Sequence, residues 1–169
     1  QYADRIRQDL EKKDAAREKV LPLCRELIRY ASITIRAIHR QEFEEAREML
    51  TSARDLLAKA EQALASGGEP VNTAFLRDSQ KEYAEGCITL AVVTGEPMPE
   101  PGSLGVENAA YLNGLGEAVG ELRRYLLDSV RKGDMSHAED LLIAMDDVYS
   151  VLVTMDFPEV NSFRMAFKI

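Results

Sequence analysis

Apolar side chains recur every three to four positions along almost the whole chain, which is the period of an α-helix. Segments with this period are separated by breaks that contain glycine or proline. We predict helices over residues 4–40, 41–65, 70–93, 106–131 and 136–155. No stretch alternates apolar and polar positions as a half-buried strand does. The pattern predicts an all-α fold, a helical bundle of about five to six helices forming a single domain over residues 1–169.

Three local signals refine this division. Pro22 lies inside the first helical segment and predicts a kink or a break there. The alternating prolines of residues 95–103 predict a loop. Ser136 with Glu139 three residues later has the spacing of a capping box, so we expect Ser136 to cap the last helix.

Composition and charge limit the classes of function. The 169 residues are 46% hydrophobic and 30% charged, as expected of a folded helical chain. The net charge is −8, yet residues 1–40 hold ten Lys or Arg against six Asp or Glu. The net charge alone argues against a nucleic-acid partner, whereas the uneven distribution is compatible with an assembly that has one basic surface and one acidic surface. No apolar run is long enough for a membrane span, and Cys24 and Cys87 fit buried thiols. We therefore expect no membrane partner and a cytoplasmic location.

The third and fourth helical segments each carry a pair of glutamates at helical spacing. Glu82 and Glu85 are three positions apart on a strip that is separate from the apolar face of their helix. Glu117 and Glu121 are four positions apart on the next long helix. That helix also contains Gly114, Gly116 and Gly120, and each glycine costs about 1 kcal/mol relative to alanine. Close approach of another backbone, or room for a ligand, would explain the three glycines.

Two interpretations of the glutamates remain open from spacing alone. Acidic residues at this spacing usually form a solvated helix face. Alternatively, carboxylates from two adjacent helices could hold one or two Mg²⁺ ions, with Mn²⁺ as a possible substitute, and hydrolyse a phosphodiester. A di-iron bundle requires Glu-x-x-His on two helices, and His39 and His137 do not provide it.

Basic side chains near these helices could contact phosphate groups. Arg36, His39 and Arg40 close the first helix, where cations also complement the helix dipole. Arg123 and Arg124 follow Glu121 and could orient the acidic site or form surface ion pairs. Tyr83, between the two glutamates of the third segment, fits the core better than a base-stacking platform.

With these residues identified, three segments resemble the translin superfamily, particularly archaeal translins and translin-associated factor X (Trax). The segment YLNGLGEAVGELRRYLLDSVRKGD, residues 111–134, is similar to the family segment YL-x-G-x-x-D-x-x-GEL-x-R. Glu82-Tyr83-Ala84-Glu85 is similar to the E-Y-V-E of the Trax branch. CRELIRYASITIRAIHR, residues 24–40, is similar to the long first helix of the family. The similarity covers about residues 15–158.

The resemblance implies a function. Trax-like members are metal-dependent endoribonucleases acting on single-stranded RNA, and translin-like members bind single-stranded RNA or DNA without catalysis. The catalytic and metal-binding carboxylates of the family correspond to Glu82, Glu85, Glu117 and Glu121. The resemblance further implies a homo-oligomer, an octamer-like closed shell with its active sites facing inward.

Two positions depart from the family pattern. Glu117 stands where the family usually has aspartate, which moves the carboxylate oxygens by about 1 Å, and such misplacement can cost about 100-fold in rate. After Pro158 the family usually continues into a further basic helix, whereas this sequence has only residues 159–169. We therefore expect metal binding to be better preserved than turnover, and the size of the oligomer stays open.

Overall fold

The computed structural model describes residues 2–65 and 73–160, and within these ranges the chain is helical without a strand. Six helices follow one another within the described ranges: α1 (Tyr2–His39), α2 (Phe43–Ala65), α3 (Ala74–Thr94), α4 (Pro101–Leu104), α5 (Asn108–Arg131) and α6 (Ala138–Leu152). The all-α fold predicted from the apolar period is confirmed. No helix of the described chain is long and apolar enough to cross a membrane.

Of the two outcomes predicted at Pro22, a kink or a break, the structure excludes the break. The helix continues through this proline without a break. Val20 and Cys24, on either side of it, are buried against the core, and this packing offsets the lost backbone hydrogen bond. Residues 2–15 lack a buried side chain, and Ile6 and Leu10 are 61% and 59% exposed. The apolar stripe of α1 is therefore covered only from Ala16 onward.

Helices α3 and α5 run in the same direction, side by side. Gln80 near the start of α3 accepts a hydrogen bond from the backbone N–H of Glu107, just before α5 begins. Farther along, Val92 and Val93 of α3 pack with Leu122 and Leu126 of α5. Because the two helices are parallel, the chain must travel back along the length of α3, about 30 Å, before α5 begins. Residues 95–107 provide it.

This connection is not entirely the loop that its prolines predict. A single helical turn, α4, begins with Pro101 at its first position, where a missing backbone N–H does no harm. Gly95 and Gly105 end α3 and α4 with φ values of 71° and 69°, which glycine adopts without strain. Tyr111 fixes the loop to α5, because its hydroxyl donates to the carbonyl of Pro99 at 2.7 Å.

The remaining helix ends differ from the predictions by a few residues. The predicted start of α3 at Pro70 and the end of α2 at residues 66–68 lie outside the described residues. The capping prediction for Ser136 is wrong: His137 is the N-cap residue of α6, without a side-chain capping bond. The Ser136 hydroxyl instead donates to Asp134 Oδ1 at 2.7 Å, because the tight turn before α6 brings that carboxylate closer than the helix N-terminus.

Candidate metal centre

A close approach of α3 and α5 positions the acidic residues. Gly114 of α5 faces α3 so closely that an added Cβ would lie 2.7 Å from the carbonyl oxygen of Lys81 and 3.0 Å from the backbone nitrogen of Glu85. This confirms backbone approach as the reason for one of the three glycines. It does not explain Gly120, which is exposed and has no atom within 4 Å of an added Cβ. Gly116 is buried.

Three carboxylates meet beside this contact. Glu82 and Glu85 of α3 and Glu117 of α5 each place one oxygen so that these three oxygens lie within 4.8 Å of one another. We call these residues the carboxylate triad. Glu85 is only 8% exposed, while Glu82 and Glu117 are half-buried at the rim. The solvated-face interpretation therefore fails for Glu85, and the triad could hold a metal ion.

Burial and the neighbouring negative charges raise the pKa of Glu85. It is raised from the ordinary value of 4.5 to about 8, first by burial and then by the negative charges of Glu82, Glu117 and Glu121. The nearby charge of Lys81 lowers it only in part. A bound cation would favour the ionised form of Glu85, because it would offset both the burial and the repulsion. The triad offers oxygen donors alone, the donor set that hard divalent ions such as Mg²⁺ prefer.

Lys81 is a member of the site that the sequence did not single out. Its Nζ donates to Glu117 Oε1 at 2.8 Å and lies 3.1 Å from Glu82 Oε1. Burial lowers the pKa of Lys81, but the hydrogen bond and charge of Glu117, with those of Glu82, more than offset this, so that its pKa is raised overall. The only sequence signal was its position immediately before Glu82.

Glu121 occupies a separate place next to the triad. Its Oε2 lies 2.5 Å from His39 Nε2 at the end of α1, and Arg124 Nη1 lies 3.9 Å from the same oxygen. The Nδ1 atom of His39 has no hydrogen-bond partner among the described residues. His39 thus joins α1 to the acidic region through Glu121. The assignment of Glu121 as a metal ligand stays a prediction.

The predicted phosphate-binding residues lie on the surface, His39 excepted. Arg36 and Arg123 are exposed. Arg40 forms ion pairs with Glu42 at 2.6 Å and Glu45 at 3.0 Å. Their role in nucleic-acid binding stays a prediction, as does that of Arg124.

The core assignment of Tyr83 and the buried-thiol assignment of Cys24 agree with the structure, whereas Cys87 is only half-buried. Tyr83 is 3% exposed and packs in the core, as expected. Cys24 and Cys87 are both free thiols. Burial raises the pKa of both thiols. The pKa of Cys87 is raised to about 12.

Solved structures similar to this chain identify its class. The crystal structure titled AfC3PO has a TM-score of 0.85 and 31% identity over 98% of this chain and 87% of that one. A second structure, an AfC3PO–duplex RNA complex, has a TM-score of 0.86 and 32% identity, over 98% of this chain and 87% of that one. A third, apo-NeC3PO, is 15% identical with a TM-score of 0.71 over 97% of this chain and 96% of that one, and supports the fold alone.

The curated sequences give a more distant relative. MJ0175, an uncharacterized protein of Methanocaldococcus jannaschii, is 26% identical over 152 residues, which cover 89% of this chain and 68% of that protein. No protein-family model matches the chain. The likeness to the AfC3PO structures over nearly the whole chain shows that the chain belongs to the translin superfamily.

Proposed function

We propose that this protein is a divalent-metal-dependent endoribonuclease that acts on single-stranded RNA within a homo-oligomer. The observation that carries the proposal is the carboxylate triad, in which Glu82, Glu85 and Glu117 converge from two helices. RNA as the partner class is supported by the similar AfC3PO structure, which is titled as a complex with duplex RNA. The octamer-like shell and single-stranded DNA as a second ligand stay predictions of the resemblance, and the cytoplasmic location stays a prediction from the composition.

The residues divide into two roles in this proposal. Glu82, Glu85 and Glu117 would hold Mg²⁺ or Mn²⁺, because their oxygens are close enough to share an ion. Such an ion would neutralise the charge that develops on a phosphodiester and would activate water. Glu121 lies beside the triad, where it would act as a further ligand or accept the proton that the attacking water loses. His39 would orient it through their 2.5 Å contact.

Hydrolysis then breaks one phosphodiester bond. The water oxygen forms a bond to phosphorus as it gives up a proton, the bond from phosphorus to the leaving ribose oxygen breaks, and that oxygen takes up a proton from solvent, to which Glu121 releases the one it accepted. Arg36, Arg40, Arg123 and Arg124 would bind flanking phosphates of the strand.

A non-catalytic RNA- or DNA-binding oligomer is the alternative, and one observation favours it. Glu117 replaces the aspartate of the family pattern, and its carboxylate is hydrogen-bonded to Lys81. A longer side chain engaged by a lysine would bind metal in a geometry that is less suited to turnover.

One assay separates the two functions. Labelled single-stranded and duplex RNA are incubated with the full chain and Mg²⁺ or Mn²⁺, beside the Glu85→Gln and Glu117→Gln variants. Metal-dependent cleavage of single-stranded RNA by the parent, with at least a 100-fold loss in both variants, supports the nuclease. Binding without cleavage by all three proteins supports the alternative. If no RNA binds at low salt, where phosphate contacts are strongest, both functions are refuted.

The variant Glu117→Asp tests the effect of the extra methylene. If the longer side chain limits turnover, the aspartate variant cleaves RNA faster than the parent while both bind RNA equally. Equal rates would mean that the side-chain length at this position does not limit the reaction.

A further inference from the structure

Lys81 lies beside the triad, but the proposed hydrolysis gives it no role. Its ammonium group contacts one oxygen of Glu117 at 2.8 Å and one of Glu82 at 3.1 Å, so that it joins α3 to α5 through two members of the triad. The side chain is 23% exposed. It is a cation already placed beside two of the three carboxylates that would hold a metal ion.

A divalent ion and this ammonium group cannot share those oxygens without strong repulsion. An Mg²⁺ ion lies 2.0–2.1 Å from each carboxylate oxygen that it binds. An ion bound by Glu82 and Glu117 would therefore lie within a few ångströms of Lys81 Nζ, in the partly buried space between the helices, where charges are poorly screened. Binding of the ion therefore favours movement of Lys81 away from at least one of its two partners.

The structure provides space for such a movement. Lys81 also lines a cavity of about 200 Å³ between α3 and α5, on the side toward the start of both helices. Asp78, one helical turn before Lys81, and Asn113 line the same cavity. The flexible four-carbon stem of lysine allows the ammonium group to turn from the triad toward this cavity.

We propose that Lys81 is an internal competitor of the metal ion, which neutralises Glu82 and Glu117 when the ion is absent and lowers the affinity of the site for divalent cations. The inference rests on the proposed metal site. It makes Lys81 a positioning residue, since it holds α3 and α5 together around the triad and acts on the metal through the glutamates. Removing its charge is expected to strengthen metal binding rather than weaken it.

The experiment measures Mn²⁺ affinity by calorimetry for the full chain, four single variants and one double variant. Lys81→Met and Lys81→Gln remove the charge, and the second keeps a hydrogen-bond donor in case the first folds poorly. Lys81→Arg keeps the charge. Lys12→Met is the matched control for net charge, since Lys12 is exposed on α1 about 40 Å from His39 along the helix axis.

We expect at least tenfold tighter Mn²⁺ binding in the two neutral variants. A neighbouring opposite charge shifts carboxylate protonation by about one to three pKa units, and its loss should favour another cation by a similar factor. Lys81→Arg and Lys12→Met should stay within about threefold of the parent. Adding Glu85→Gln to Lys81→Gln should abolish the gain, which locates the ion at the triad.

Thermal unfolding gives a second readout. In EDTA the neutral variants should melt below the parent, because the carboxylates lose their counter-charge, and saturating Mn²⁺ should raise their Tm by more than that of the parent. Equal or weaker Mn²⁺ affinity in both neutral variants would overturn the inference.

The inference and the proposed function fail separately. A parent that cleaves RNA, with neutral variants that bind Mn²⁺ no more tightly, refutes competition and leaves the nuclease standing. Neutral variants that bind Mn²⁺ more tightly, in a chain that never cleaves RNA, refute the nuclease and leave competition standing. If no protein of the series binds Mn²⁺, both are wrong.

Discussion

The contact at Gly114 provides a quantitative test of how α3 and α5 hold the site. In Gly114→Ala, helix propensity favours the variant by about 1 kcal/mol. The new Cβ, however, would lie 2.7 Å from the Lys81 carbonyl oxygen and 3.0 Å from the Glu85 nitrogen, both backbone atoms that cannot turn aside. Forced overpacking costs about 1–3 kcal/mol, and rigid contacts of this kind belong at the upper end. We expect a net destabilisation of about 2 kcal/mol.

Gly120→Ala is the matched control on the same helix. Its Cβ would meet no atom within 4 Å. Gly120→Ala should therefore raise the free energy of unfolding by the full difference in helix propensity, about 1 kcal/mol. The two variants should therefore differ by about 3 kcal/mol in the free energy of unfolding. Urea unfolding followed by circular dichroism measures this difference, and it suits a chain without tryptophan.

The same pair reports on the metal centre. Relief of the clash in Gly114→Ala moves α5 away from α3 and separates Glu117 from Glu82 and Glu85, so Mn²⁺ affinity should fall in this variant and not in Gly120→Ala. A Gly114→Ala protein as stable as Gly120→Ala, with unchanged Mn²⁺ affinity, would refute the view that this helix contact builds the site.

Two further predictions concern burial. In EDTA, Glu85→Gln should be more stable than the parent by a margin that grows from near zero below pH 4.5 to about 3–5 kcal/mol near pH 8. The reason is that the pKa of Glu85 is raised from 4.5 to about 8 in the folded protein, so the free energy of unfolding of the parent falls as the pH rises through this window. A margin independent of pH in urea titrations would contradict this prediction. Leu122→Ala should lower the free energy of unfolding by about 2–5 kcal/mol, because Leu122 is fully buried. Exposed Leu127→Ala is its control, and equal losses would count against that reasoning.

Local signals predicted some features and failed at others for a common reason. The helices followed from the apolar period because one face of each must be buried. The capping box at Ser136 failed because its hydroxyl found Asp134 in the preceding turn. Pro22 lies inside α1 without ending it, because Val20 and Cys24 beside it are buried against the core. In each case neighbouring structure, rather than local preference, determined the outcome.

The sequence by itself determined the five long helices but not the short α4, and it placed Glu82 and Glu85 on one strip of α3 because helical spacing is local. Only the tertiary structure decided that Glu117 meets them, since the parallel pairing of α3 and α5 depends on the return path through residues 95–107 and on the contact at Gly114. It also decided that Lys81 bridges Glu82 and Glu117. Burial and the convergence of charges are properties of packed helices, and no spacing within a single helix specifies them.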